Sequence, residues 1–200
     1  MSSQIDFLME YLEIIGTFVG LVYLWLEYHA SIYLWVASVV MPIVYTFIFF
    51  DAGLYADMGI QIYYVLASIY GFICWKWTIT RKNNKNSEEK LKITHAPRRL
   101  ITPMSVISIA LTIVIAYILI AFTDSNVPWW DSFTTSLSIV AMWMMARKYI
   151  EQWWAWLVVD VVSAGIYLYK ELYFTAGLYA LYAVIAYFGY KKWKELMIAQ

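Results

Sequence analysis

WVASVVMPIVYTFIFFDAGLYADMGIQIYYVLASIYGFICW, residues 35–75, returns 118 positions later as WWAWLVVDVVSAGIYLYKELYFTAGLYALYAVIAYFGYKKW, residues 153–193. No gap is needed to align the two. Trp35 meets Trp153, Val44 meets Val162, Leu54 meets Leu172, Tyr64 meets Tyr182, Gly71 meets Gly189 and Trp75 meets Trp193. Eleven of the 41 positions are identical, where so apolar a composition gives about 3 or 4 by chance, so the stretch reads as an internal repeat. The register continues upstream more weakly, pairing Asp6 with Asp124, Thr17 with Thr135 and Trp25 with Trp143.

The 200 residues are 63% hydrophobic, 20% aromatic and 14% charged. A soluble domain of this size cannot hide that much apolar surface, so lipid is the expected solvent. Zero net charge argues against a nucleic-acid partner, which needs a basic face. The single cysteine, Cys74, excludes an intrachain disulfide and lies in an apolar run, where packing is its expected role. His29 and His95 lack neighbours at metal-ligand spacing, so neither a metal nor another cofactor is expected. The N-terminus carries Asp6, Glu10 and Glu13 in place of a basic region, so no cleavable signal peptide is expected.

Runs long enough to cross a bilayer cover residues 7–26, 31–50, 55–77, 101–122, 128–146, 153–169 and 173–190. The long hydrophilic stretch from Thr78 to Arg99 reads as a cytoplasmic linker. With the N-terminus outside, thirteen Lys and Arg residues fall on the inner side and Lys170 alone falls outside. That bias orients the chain N-out and C-in, which requires an odd number of spans. Two three-helix repeats in the same orientation need one extra helix between them, and 101–122 supplies it. The expected fold is therefore an all-α integral membrane protein with seven transmembrane helices. They are arranged 3+1+3, as parallel SWEET-like repeats. Its parts are a first repeat over 1–80, a linker and connecting helix over 81–124, and a second repeat over 125–200. A duplicated membrane chain of this kind points to a transporter, because two repeats can rock about a site held between them.

Trp153, Trp156, Asp160 and Tyr167 share one face of the sixth helix, within an arc of about 60°. Asp160 lies about 16 Å along from the inner end, close to the bilayer midplane. A carboxylate there costs about 2.5–3.5 kcal/mol and needs a partner. No Lys or Arg stands at that depth in any span, so a cationic substrate is the expected partner, with indole faces adding cation–π attraction. The alternative is a protonated Asp160 that locks helix packing through Ser163, Thr46 or tyrosine hydroxyls. Trp153 also suits an interfacial belt. The matching stripe of the first copy holds Trp35, Ser38, Pro42, Tyr45 and Phe49, so the site should be asymmetric, with Pro42 a candidate hinge. Gln61, Tyr64 and Ser68, and Thr175, Tyr179 and Tyr182, are candidate hydrogen-bonding groups for a heterocycle. Glu13 is either a second acid near the outer mouth or a snorkelling surface group. Gly16 and Gly20 suit a helix contact.

The spacing Trp153, Trp156, Asp160 follows the pattern Trp-x-x-Trp-x-x-x-Asn/Asp, and with the surrounding C-terminal region it resembles the PnuC family of bacterial vitamin transporters. The resemblance covers essentially the whole chain. It implies facilitated diffusion of an unphosphorylated vitamin or nucleoside precursor across the bacterial inner membrane. It also implies a homotrimer, and trapping by a cytoplasmic vitamin kinase that forms no stable complex. Trp153 and Trp156 would stack on the heterocycle and Asp160 would hold its cationic or polar part. Aspartate at the last motif position leans the reading to thiamine, with nicotinamide riboside as the alternative.

Other classes fit less well. An intramembrane enzyme would need paired acids or a nucleophile with a base at depth. A structural or signalling subunit leaves Asp160 and its aromatic stripe unexplained. Absence of a phosphate-binding loop argues against direct drive by ATP. Proton symport through Asp160 is the rival within transport.

Overall fold

A computed structural model of the chain describes residues 18–51, 55–77, 91–123 and 125–200. Glu13, Gly16 and the linker residues 78–90 lie outside the described residues, as does the side chain of Tyr45. Seven helices are present among the described residues. They are α1 (Phe18–Tyr28), α2 (Leu34–Asp51), α3 (Tyr55–Trp77), α4 (Arg98–Phe122), α5 (Pro128–Ala146), α6 (Gln152–Tyr169) and α7 (Tyr173–Ile198). The chain divides into two compact units, Met1–Lys90 and Leu91–Gln200.

In the first unit α2 packs along α3. Ser38 Oγ lies 2.9 Å from Ser68 Oγ, and Ser68 in turn donates to the Tyr64 carbonyl. Pro42 sits inside an unbroken α2, and Thr46 donates to its carbonyl at 2.7 Å. Between α1 and α2 the chain reverses at Ala30, whose φ is +49°. The Ser31 N–H reaches back to Leu26 O and the Ala30 N–H to Glu27 O, a Schellman closure with alanine where glycine is usual.

In the second unit α4 packs on α5, α5 on α6, and α6 on α7. Thr112 and Ser136 hydroxyls meet at 2.6 Å across α4 and α5, a polar contact that holds where hydrophobic attraction between helices is absent. The α5–α6 turn repeats the first unit's closure: Lys148 has φ +53°, Tyr149 N–H bonds Met144 O and Lys148 N–H bonds Met145 O. Lys148 is Ala30 shifted by 118 positions. The repeat therefore extends upstream of the conserved stretch as backbone geometry, where side-chain identity is weak.

Three features go beyond what the apolar pattern registers. Within the hydrophilic stretch from Thr78 to Arg99, residues 91–97 are anchored. Thr94 bridges Tyr149, Ile93 is buried and donates to Gln200 Oε1, and Glu151 accepts from the Ala96 N–H and pairs with His95 Nδ1 at 2.7 Å. A strap over 91–97 is thus tied to the α5–α6 turn by backbone groups that a hydropathy pattern does not register. Glu27, in the last turn of α1, is buried and interacts with Tyr23 one turn earlier. Its repeat equivalent is the core residue Met145. Third, α7 continues to Ile198, beyond the apolar run, and Lys192 and Glu195 meet at 3.5 Å on this extension. At the opposite end, Lys170 pairs with Asp131 at 3.6 Å, which accounts for a basic residue where the others are acidic.

By length and hydropathy alone, α4 qualifies as membrane-spanning among the described helices, with little of it buried. The described runs of α1 and α2 are apolar but shorter. Helices α5 and α6 are diluted by polar residues and by tryptophan, which such scales count as polar although indole rings partition well into interfaces. The helices other than α4 still expose large side chains, including Leu66 and Ile69 on α3, Trp130 on α5, Val161 on α6 and Phe188 on α7. Such breadth of exposed apolar surface marks a lipid-facing exterior.

Candidate functional site

The repeated tryptophans form one device twice. In the first unit Trp35 meets Trp75 edge-on, with ring centroids 5.6 Å apart at 88°. In the second, Trp153 meets Trp193 at 5.7 Å and 84°. Each outer face is closed by a glycine: a Cβ added at Gly71 would overlap the Trp35 ring, and one at Gly189 the Trp153 ring. Trp35 and Trp153 are both 1% exposed. A helix–helix clasp made of an indole, a facing indole and a bare glycine therefore locks α2 to α3 and α6 to α7.

What the repeats share is scaffold; where they differ, chemistry can reside. Trp156, Asp160, Tyr167 and Tyr179 stand where the first copy has Ser38, Pro42, Phe49 and Gln61. Asp160 lies midway along the 18 residues of α6 and is 8% exposed. It makes no hydrogen bond or ion pair among the described residues. The phenols of Tyr179 and Tyr182 lie within electrostatic reach of it. The Tyr167 ring lies against Tyr179 with centroids 5.0 Å apart, and Tyr179 against Tyr182 at 5.6 Å, both pairs tilted. Three phenols from two helices thus make one aromatic ladder beside the acid. The Trp156 indole nitrogen is buried and, like those of Trp35 and Trp153, has no hydrogen-bond partner among the described residues.

Trp153 belongs to the clasp, with its ring already packed by protein. Trp35 stands in the same position in the first unit. Ser38 is engaged with Ser68, and Tyr64 lies against Tyr63 with centroids 5.6 Å apart. Gln61 lies on α3, one turn from Tyr64. Two open grooves occur elsewhere on the second unit. One of about 460 Å³ runs between Trp130 and Tyr169, and one of about 450 Å³ between Ile101 and Leu137. Neither touches Trp156 or Asp160.

Sequence reasoning passed over Gln152. It is 0% exposed, and neither atom of its side-chain amide has a hydrogen-bond partner among the described residues. The repeat register carried the signal, since the equivalent residue is Leu34, also 0% exposed.

The profile of the family described as nicotinamide mononucleotide transporter matches residues 10–195. The chain belongs to this transporter family. It is 28% identical to the nicotinamide riboside transporter PnuC of Escherichia coli, over 92% of this chain and 85% of that one. It is 26% identical to the riboflavin/roseoflavin transporter RibM of Streptomyces davaonensis, over 90% and 83% of the two chains. Its fold matches a crystal structure of the vitamin B3 transporter PnuC with a TM-score of 0.69 at 22% identity, covering 94% of this chain and 83% of the other. Membership of the transporter family makes this a membrane protein, and its described architecture is all-helical.

Proposed function

We propose that the chain carries an unphosphorylated, cationic vitamin precursor across the bacterial inner membrane, and that nicotinamide riboside is its substrate. One observation carries the reading. Asp160 is buried at mid-helix without a hydrogen bond or ion pair among the described residues, beside an indole N–H that also lacks one. An intramembrane acid is costly and marks a substrate pathway, and a pyridinium ring supplies both the missing charge and a flat face for Trp156. The relatives' names concern nicotinamide riboside and riboflavin or roseoflavin, so the lean to thiamine gives way to nicotinamide riboside. Both are cations, and charge alone could not separate them.

In this reading Trp156 stacks on the heterocycle while Asp160 faces its charge. Tyr167, Tyr179 and Tyr182 line the far side. Trp153, fixed by Gly189 and Trp193, forms the rigid wall at the inner end. Ser38, Tyr45, Gln61 and Tyr64 are the first repeat's contribution, with Pro42 as its hinge and Trp35, held in the first clasp, as their rigid backing. Seven spans in a 3+1+3 plan, N-out and C-in, put Arg147, Lys148, Lys191 and Lys192 on the cytoplasmic side. A first repeat over 1–80, a linker and connecting helix over 81–124 and a second repeat over 125–200 follow from that plan. The protein works as a homotrimer by facilitated diffusion, without catalysis, and a cytoplasmic kinase traps the product.

Titrating nicotinamide riboside and thiamine against purified protein tests the substrate. Saturable binding of nicotinamide riboside, tighter than thiamine, is the expected result; the reverse order overturns the assignment.

A further inference from the structure

Gln152 opens α6, and Trp156, Asp160 and Ser163 follow it at helical spacing, so that all four fall within about 80° of arc. The buried stripe therefore begins one turn nearer the inner end than the tryptophan motif alone suggests. The fold does not require an amide at that point, because the first repeat fills the same buried position with Leu34. A wholly buried amide with both atoms unpaired among the described residues is unfavourable. Unlike the clasp indoles of Trp35 and Trp153, whose N–H groups also lack partners there, it replaces an apolar residue of the other repeat. Nor does the neighbouring strap supply a partner. Glu151 accepts from Ala96 and His95, while Gln152 contributes only its backbone N–H, to Tyr149 O.

We infer that the Gln152 side chain is a further substrate-contacting group, an amide that meets a carboxamide or sugar hydroxyl of the ligand at the inner end of the Trp156–Asp160 stripe. The inference rests on the transport reading proposed above. Gln152 lies about 6 Å along the axis from Trp156 and about 12 Å from Asp160. A ligand whose charged ring sits between those two residues can therefore extend its uncharged polar end to Gln152. One amide both donates and accepts, which suits a carboxamide or a hydroxyl and offers little to an apolar group.

The test uses full-length protein in detergent, with the melting temperature and the nicotinamide riboside affinity measured for Gln152→Leu and Gln152→Met. Leucine is the residue the first repeat tolerates, and methionine keeps the length of glutamine. Both variants should melt no lower than wild type, since they remove two unpaired buried atoms, and should bind nicotinamide riboside about 10-fold more weakly. N-ribosylpyridinium, which lacks the carboxamide, distinguishes the two ligand groups. An equal loss assigns the contact to sugar hydroxyls, and a loss confined to nicotinamide riboside assigns it to the carboxamide. Unchanged affinity in both variants overturns the inference, and so does weakened affinity that tracks a fall in melting temperature. If Trp156→Ala and Asp160→Asn abolish binding while the Gln152 variants retain it, the transport reading stands and the Gln152 contact is rejected. If wild type shows no saturable binding, both are rejected.

Discussion

At the scale of single residues, two changes separate charge from shape. Asp160→Asn keeps the size of the side chain and removes its charge. It should weaken nicotinamide riboside much more than the reduced, uncharged dihydropyridine form of the same compound, measured by calorimetric titration. Equal weakening of the two would reject the charge argument. Trp156→Ala should cost on the order of 1–3 kcal/mol for both forms, because stacking on a ring does not need the full charge. The motif residues were legible as a stripe, because spacing along a helix follows from arithmetic. What spacing could not distinguish was the role of Trp153 from that of Trp156. The difference comes from Gly189 and Trp193 on a neighbouring helix, and no period along α6 contains it.

At the scale of elements, the clasp and the strap make different demands. Gly71→Ala and Gly189→Ala would each raise intrinsic helix propensity, yet the added methyl overlaps a buried indole held edge-on by a second one. Overpacking of this kind costs about 1–3 kcal/mol, so both variants should melt lower, and Trp153→Leu should partly rescue Gly189→Ala. A melting temperature unchanged by either glycine substitution would contradict the clasp. Glu151→Ala should loosen the strap locally at His95 and Ala96, seen as faster hydrogen exchange at Ala96, while the Thr94 backbone bonds hold. Global stability should fall by only about 1 kcal/mol or less, since the His95–Glu151 pair is partly exposed. Helix positions were legible from apolar runs, with ends displaced by a few residues wherever the hydrogen-bonded ladder outlasts the apolar zone. The strap was not legible, because its bonds to the turn include backbone ones, Thr94 N–H to Lys148 O and Ile150 N–H to Thr94 O, and these groups are the same in every sequence.

At the scale of the whole molecule, duplication divides labour. Both copies keep the clasp and the left-handed closure at Ala30 and Lys148, while the second copy carries the acid, the phenol ladder and the unpaired amide. In liposomes, internal substrate should rise only to the external concentration and be indifferent to an imposed pH gradient. Accumulation beyond that level would replace passive transport by proton coupling. The duplicated clasp also bears on how these experiments are read. Trp35, Trp75, Trp153 and Trp193 are shielded by protein on every side, so their emission should stay constant as ligand is added, an internal standard built into each half. Any light lost on titration then comes from indoles outside the clasp. A Trp156→Phe variant that abolishes the loss would locate the reporter at one ring.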